Sequence, residues 1–280
     1  MKRLRTFSLF LFTLITLFSS CKSGDKKDEP KKEPEMKEPK LKEQTVDYKL
    51  DSSNRSNFVV YDENIEGARP AVLVFPEWWG LTDYPKMRAR ELAKLGYIAM
   101  AVDVYGDNKM GTDPDLAGKL AGPFYAKPEM IKPIFDAALN KLKEFPQTDA
   151  TKVGAIGYCF GGAQVINLAK MGYDLKGVVS FHGNLTVVPA NKDLLKAPIL
   201  VCHGGADSFV PQTEVDQFKK QMDSIGAKYT LKVYDGATHA FTNPSATETG
   251  ENFKLPIRYN PAADTASWKD MKDFFQQVFK

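Results

Sequence analysis

The sequence predicts an α/β fold over residues 46–280, with a mostly parallel central sheet and helices on both faces. Two observations carry that expectation. Continuous apolar runs of strand length recur, such as Ala71-Val72-Leu73-Val74-Phe75, and these suit strands buried on both faces. Between them lie stretches with helical spacing, bounded by glycine or proline. Strands that alternate with helices require parallel pairing and crossover connections.

The elements follow in order. Residues 46–50 and 57–61 read as an antiparallel lead-in hairpin ahead of the first core strand at 71–75. A helix over 82–95 sets Met87, Leu92 and Leu95 among Lys, Arg and Glu, and Gly96 stops it. Residues 97–102 form the next strand. A helix is expected over 127–145, with Pro133 bending its first part. Strand 152–156, helix 161–171 and strand 175–181 come next, then strand 197–202, helix 212–225 and strand 228–234. A helix over 264–279 closes the chain, with Trp268, Met271, Phe274, Phe275 and Val278 on one side.

Composition narrows the class. At 43% hydrophobic residues the 280-residue chain is too apolar for a disordered protein, and its 20 Gly and 3 Cys exclude collagen-like and disulfide-stapled scaffolds. A net charge of +3 is too small to argue for nucleic acid, and its placement explains it. Lys2, Arg3 and Arg5 precede an apolar stretch at 7–18, which suits a secretory signal and is short of the roughly 20 residues of a membrane span. Taking those three charges from 38 Lys+Arg leaves 35, equal to the Asp+Glu count.

The stretch ends in Leu17-Phe18-Ser19-Ser20-Cys21, which resembles a bacterial lipoprotein cleavage site. That resemblance implies a signal peptide at 1–20, a lipid on Cys21 and a place in the bacterial cell envelope, membrane-anchored on the periplasmic or outer surface. An ordinary signal peptide, with Cys21 incidental, is the alternative. Residues 21–45 are dominated by Lys, Glu, Asp and Pro; they bury too little apolar surface to offset chain ordering and read as an extended linker.

The chemistry-bearing motif is Gly157-Tyr158-Cys159-Phe160-Gly161-Gly162, between a strand and a helix. It has the Gly-x-nucleophile-x-Gly form of a nucleophile elbow, where small neighbours let strand and helix approach closely. A helix N-terminus beneath a thiol favours the thiolate, and the Phe160 N–H can meet a developing oxyanion. A buried cysteine in a glycine-rich turn of a nucleotide-binding fold is the competing reading, but the Gly-x-Gly-x-x-Gly spacing is absent. Asp207 and His239 each follow an expected strand, in the chain order nucleophile, acid, histidine of α/β hydrolases. Asp207 would orient His239, and His239 would move the proton. His182 and His203 end other strands. A zinc site built from His182, His203, His239 and Asp207 would lack any short ligand pair, so no metal is expected. Cys202 lies in an apolar strand and reads as an inert buried thiol.

The elbow, together with Pro76-Glu77-Trp78-Trp79-Gly80, Val102-Asp103-Val104-Tyr105-Gly106, the segment around Asp207 and His239-Ala240-Phe241, resembles the dienelactone hydrolase family over about residues 57–280. The resemblance implies an α/β-hydrolase fold and hydrolysis of enol lactones or related carboxylic esters by a Cys159–His239–Asp207 triad, without cofactor. It implies that Glu77 takes part in activating Cys159, and that the N–H groups of Trp78 and Phe160 form the oxyanion hole. Taken from the residues alone, Glu77 is as well explained as a structural hydrogen-bonding partner. The best-known members of the family place arginines just after the Asp-x-Tyr segment and just after the catalytic histidine, to hold a substrate carboxylate; here Gly106-Asp107-Asn108 and Ala240-Phe241-Thr242-Asn243 carry none. Trp79, Tyr105, Tyr125, Phe209 and Phe241 are expected to line the pocket. The expected partners are a small ester or lactone and, through the lipid, a membrane. A peptide or thioester hydrolase, or a non-catalytic envelope-binding lipoprotein, are the rival functions.

Overall fold

The computed structural model describes residues 38–280; the signal segment, Cys21 and most of the charged linker lie outside the described residues. The strands are β1 (Leu41–Leu50), β2 (Ser53–Asp62), β3 (Arg69–Phe75), β4 (Ile98–Ala101), β5 (Thr148–Tyr158), β6 (Gly177–Phe181), β7 (Ile199–Gly204) and β8 (Tyr229–Tyr234). They form one sheet in the order β1-β2-β4-β3-β5-β6-β7-β8. The β1–β2 and β2–β4 pairs are antiparallel, and every other pair is parallel. The helices are α1 (Asp83–Lys94), α2 (Pro114–Ala126), α3 (Ile131–Lys143), α4 (Phe160–Lys170), α5 (Gln212–Ser224), α6 (Ala246–Phe253) and α7 (Pro261–Val278).

The apolar runs are buried on both faces, as their composition requires. Along β3, Ala71, Leu73 and Phe75 face one core with residues of α2 to α5, while Val72 and Val74 face a second with α1 and α7. The period-two alternation repeats in β4 and β7. On the closing helix α7, Met271 and Phe275 are fully buried and Trp268, Phe274 and Val278 pack at the margin.

Four elements differ from the sequence reading. β1 begins at Leu41, inside the stretch read as linker. As an edge strand it tolerates polar side chains, and Glu43 uses its position to pair with Arg90 at 2.7 Å. The expected 127–145 helix is split into a 3-10 turn (Pro128–Met130) and α3; Pro133 lies in the first turn of α3, where its missing N–H has no helical partner to lose. Finally, α2 and α6 were not anticipated. Gly118, Gly122 and Pro123 in α2 and Gly250 in α6 weaken the helical signal, so these helices depend on packing rather than propensity.

One buried cation ties α1 to the end of the chain. Arg88 is 3% exposed. Its guanidinium bonds Glu91 at 2.8 Å, the Thr242 carbonyl at 2.6 Å and the Asp264 carboxylate of α7, and lies over the Trp268 ring at 5.1 Å. Removing one partner from such a buried pair typically costs about 3–5 kcal/mol. The Thr242 contact matters here because it fixes the loop that follows His239.

Candidate active site

The strand order reverses about β3, whose neighbours are β4 and β5, and ligands of open α/β sheets gather beyond the carboxyl ends of the strands at such a point. Glu77 follows β3, Cys159 follows β5, His182 follows β6, Asp207 follows β7 and His239 follows β8. Five successive strand ends therefore deliver the polar groups to one edge. A cavity of about 220 Å³ opens there, lined by Glu77, Cys159 and His239 with Trp78, Trp79, Tyr125 and Phe209.

Cys159 sits at the N-cap of α4 with φ 51° and ψ −116°, a conformation that is costly for any residue but glycine. Its neighbours permit it. A Cβ at Gly157 would overlap the Gly161 carbonyl, and one at Gly161 would overlap the Phe75 carbonyl of β3. Phe160 is the first residue of α4, so its N–H has no intrahelical acceptor. The Trp78 peptide is held across the cavity by the Gly80 N–H to Glu77 carbonyl turn (3.1 Å) and by the Tyr105 hydroxyl on the Trp78 carbonyl (2.9 Å).

His239 and Asp207 are both buried, with Nδ1 of the ring 2.9 Å from the Asp207 carboxylate. The second carboxylate oxygen accepts the N–H groups of Phe209 (2.8 Å) and Val210 (3.1 Å), which fixes its direction. Burial pushes the His239 imidazolium toward losing its proton, but the Cys159 sulfur and the Asp207 carboxylate outweigh burial and raise its pKa to about 10. Glu77 is 4% exposed, and burial raises its pKa to about 7 against the opposing hydrogen bond from Asn243 (2.7 Å) and the charges of His239 and Arg88.

The pocket residues divide. Trp79, Tyr125 and Phe209 line the cavity. Tyr105 and Phe241, expected there, do not: Tyr105 packs in the core with its hydroxyl on Trp78, and Phe241 is fully buried against His182 and Tyr234. Cys202 is a buried thiol pushed up to about 12 by burial, and His203 is buried outside the cavity lining. Among the described residues, no group of three His, Cys, Asp or Glu is arranged to hold a metal.

Sequence reasoning missed five contributors. Asn184, Leu255 and Ile257 complete the cavity wall, and Asn243 grips Glu77. Ile257 reaches the site through a parallel bridge to His239, a pairing that no local pattern announces. The fifth is His182, which precedes Asp207 in the chain and so falls outside the nucleophile, acid, histidine order. Its Nδ1 accepts the backbone N–H of Cys159 at 3.1 Å, and its Nε2 pairs with the Thr242 hydroxyl at 2.7 Å, which meets the Tyr84 hydroxyl at 2.7 Å. Burial and the nearby charges of His239 and Arg88 push its pKa well down, which keeps Nδ1 free to accept.

With this geometry in view, comparison with known proteins decides the relationship. A dienelactone hydrolase family profile matches residues 58–279. The chain belongs to the dienelactone hydrolase family. It is 32% identical over 219 residues to an Aquifex aeolicus protein assigned as a carboxymethylenebutenolidase, a match spanning 76% of this chain and 90% of that one. Among solved structures, a dienelactone hydrolase-like promiscuous phosphotriesterase from metagenomic libraries superposes with a TM-score of 0.79 at 32% identity, covering 86% of this chain and 99% of that one. An esterase of Thermogutta terrifontis shares the fold alone, with a TM-score of 0.59 at 16% identity over 84% of this chain and 94% of that one. The architecture is the α/β-hydrolase fold, and this dienelactone hydrolase-like protein is an ester or lactone hydrolase.

The His182 contact generates a test within this family member. Glycine at 182 tolerates the 44° φ but removes the acceptor, whereas asparagine tolerates it and keeps an acceptor oxygen near the Nδ1 position. His182→Gly is expected to lower kcat about 10²-fold, the cost typical of a slight misplacement of a reacting group, with KM little changed. His182→Asn should recover most of that loss. Equal activity of the two variants in steady-state ester hydrolysis would remove His182 from the elbow.

Proposed function

We propose that this hydrolase works through Cys159 as nucleophile, by way of an acyl-enzyme. The reading is supported by one observation: Cys159 and the Asp207-held imidazole of His239 line the same cavity. The proton of the thiol passes to Glu77, leaving a thiolate beside the His239 imidazolium, and the thiolate sulfur bonds to the substrate carbonyl carbon. The carbonyl oxygen becomes an oxyanion facing the N–H groups of Phe160 and Trp78; one such donor is typically worth about 10²–10³-fold in rate. Collapse breaks the carbon–oxygen bond, and the His239 imidazolium gives its proton to the departing alkoxide. Water then attacks the thioester with His239 as base, releasing the carboxylic acid and the thiol. Glu77, buried and poised near neutrality, is a proton acceptor for the resting thiol.

A second reading, attack on uncharged phosphotriesters, rests on the 32% identical relative named for that activity. It would use the same nucleophile at phosphorus. Diethyl 4-nitrophenyl phosphate, assayed beside 4-nitrophenyl esters, separates the two.

Cys159→Ala should abolish ester turnover while leaving the near-UV circular dichroism unchanged. Intact mass after exposure to a slow ester should show an acyl adduct in the wild type and none in the variant. Unaltered turnover in Cys159→Ala would sink the mechanism.

Protonating Glu77 removes its capacity to accept, so kcat/KM should fall as pH drops through about 7. Glu77→Gln should lower kcat/KM by about 10²–10⁴-fold and lose that inflection. A pH profile with the same acid limb in the variant would assign the limb elsewhere.

The proposed setting is the cell envelope, with Cys21 carrying lipid and the charged linker spacing the enzyme from the membrane. Cys21→Ala expressed with its own signal should move the protein from the membrane pellet to the soluble fraction. A wild-type chain already soluble would refute the anchor.

A further inference from the structure

Apart from the His239 ring, held by Asp207 at 2.9 Å, the charge on the cavity wall is one-sided: Glu77 contributes a carboxylate, and among the described residues no lysine or arginine lines the space. The buried cations behind it are committed elsewhere. Arg88 spends its guanidinium on the Thr242 carbonyl, Glu91 and Asp264. Lys170 donates to the carbonyls of Leu185 (2.7 Å) and Val188 (2.9 Å). Lys109, near one of the positions where an arginine would be expected, bonds Asp107 at 3.2 Å and is absent from the wall.

The neutral amides are committed as well. Asn243 donates to Glu77 at 2.7 Å. Asn184 donates to Glu214 at 3.1 Å and accepts the Tyr125 hydroxyl at 3.3 Å. What remains facing a substrate beyond the reacting groups is apolar: Trp78, Trp79, Phe209, Leu255 and Ile257. A substrate carboxylate held away from the reacting groups would lose its hydration against apolar walls without gaining a lysine or arginine, and would approach Glu77. An uncharged chain or ring meets only favourable apolar surface.

We propose that the site selects uncharged esters and lactones with an apolar substituent and discriminates against substrates that carry a carboxylate. Specificity here comes as much from the repulsive element as from the attractive walls. The inference rests on the hydrolytic reading above, and the experiment separates failure of one from failure of the other.

The test compares two esters of equal length and identical leaving group, 4-nitrophenyl pentanoate and the mono-4-nitrophenyl ester of glutaric acid, at pH 8. The neutral ester is expected to show a kcat/KM about 10²-fold higher or more, the scale of discrimination reached when a charged group is left unpaired. Leu255→Arg, on a wall segment outside the reacting groups, should shrink that ratio at least about 10-fold, whereas Leu255→Gln should leave it near the wild-type value. Glu77→Gln supplies an independent arm. Both absolute rates drop with loss of the proton acceptor, while the ratio between them falls toward unity. Equal turnover of the two esters by the wild type, or a ratio unmoved in both Leu255→Arg and Glu77→Gln, overturns the proposal and leaves the hydrolytic reading intact. No turnover of either ester overturns both.

Discussion

The close approach of β5 to α4 is the constraint on which the site depends. Strand and helix meet at Gly157 and Gly161 with no room for a single methyl group, and the Phe75 end of β3 presses on the same point. That contact forces Cys159 into a positive φ and lifts its side chain from the turn into the cavity. Strain of this kind costs of order 1–3 kcal/mol and persists only where the surroundings over-determine it. Here the Cys159 N–H is held between the Phe181 carbonyl (2.9 Å) and His182 Nδ1 (3.1 Å), both delivered by the end of β6. His182 and Ala240 also have positive φ, at 44° and 56°, so three of the seven described non-glycine residues in that region stand at or beside the site, the others being Asp51, Asp107, Asn108 and Lys254.

The electrostatics follow from that crowding. Burial alone would strip the proton from His239 and leave Glu77 protonated. Burial wins at Glu77, whose direct partner is the uncharged amide of Asn243. It loses at His239, which has the Cys159 sulfur and the Asp207 carboxylate beside it. Both pKa values are thus raised, by anionic neighbours at His239 and by burial at Glu77, and they stay apart, about 10 against about 7, so that one group holds its proton while the other exchanges it near neutrality. Arg88 acts from outside the cavity. Through Thr242 it holds the loop on which Asn243 and the partner hydroxyl of His182 are carried.

Much of this was legible in the sequence because the signals were local. An apolar run of five residues, a glycine-flanked cysteine between strand and helix, and an aspartate and histidine each following a strand are all short patterns. The groups that escaped notice act across the chain. His182 reads as a spare histidine until the β5–β6 pairing sets it under the elbow, and Ile257 reads as a loop residue until its bridge to His239 is seen. Tyr105 and Phe241 erred in the other direction. An aromatic residue next to a motif can serve the site by packing beneath it, and position along the chain cannot separate that role from lining the cavity. The weak helices α2 and α6 were hidden by their own glycine and proline, since tertiary contacts rather than propensity sustain them.

Burial of the polar apparatus also explains why the cavity is so apolar. Each charged group near the site needs partners, and those partners are drawn from the protein itself: two backbone N–H groups and an imidazole for Asp207, an amide for Asn243's target Glu77, a carbonyl and two carboxylates for Arg88. Every donor so used is withdrawn from substrate recognition. What the walls retain is the aromatic and aliphatic surface of Trp78, Trp79, Phe209, Leu255 and Ile257, together with the Phe160 N–H, left without an intrahelical acceptor at the first position of α4. A site built this way recognises the carbonyl it attacks by polar contacts and the rest of its substrate by shape and apolar area. On the proposed mechanism, the same hydrogen bonds that hold Asp207, His239 and Glu77 in place would therefore limit what the site admits.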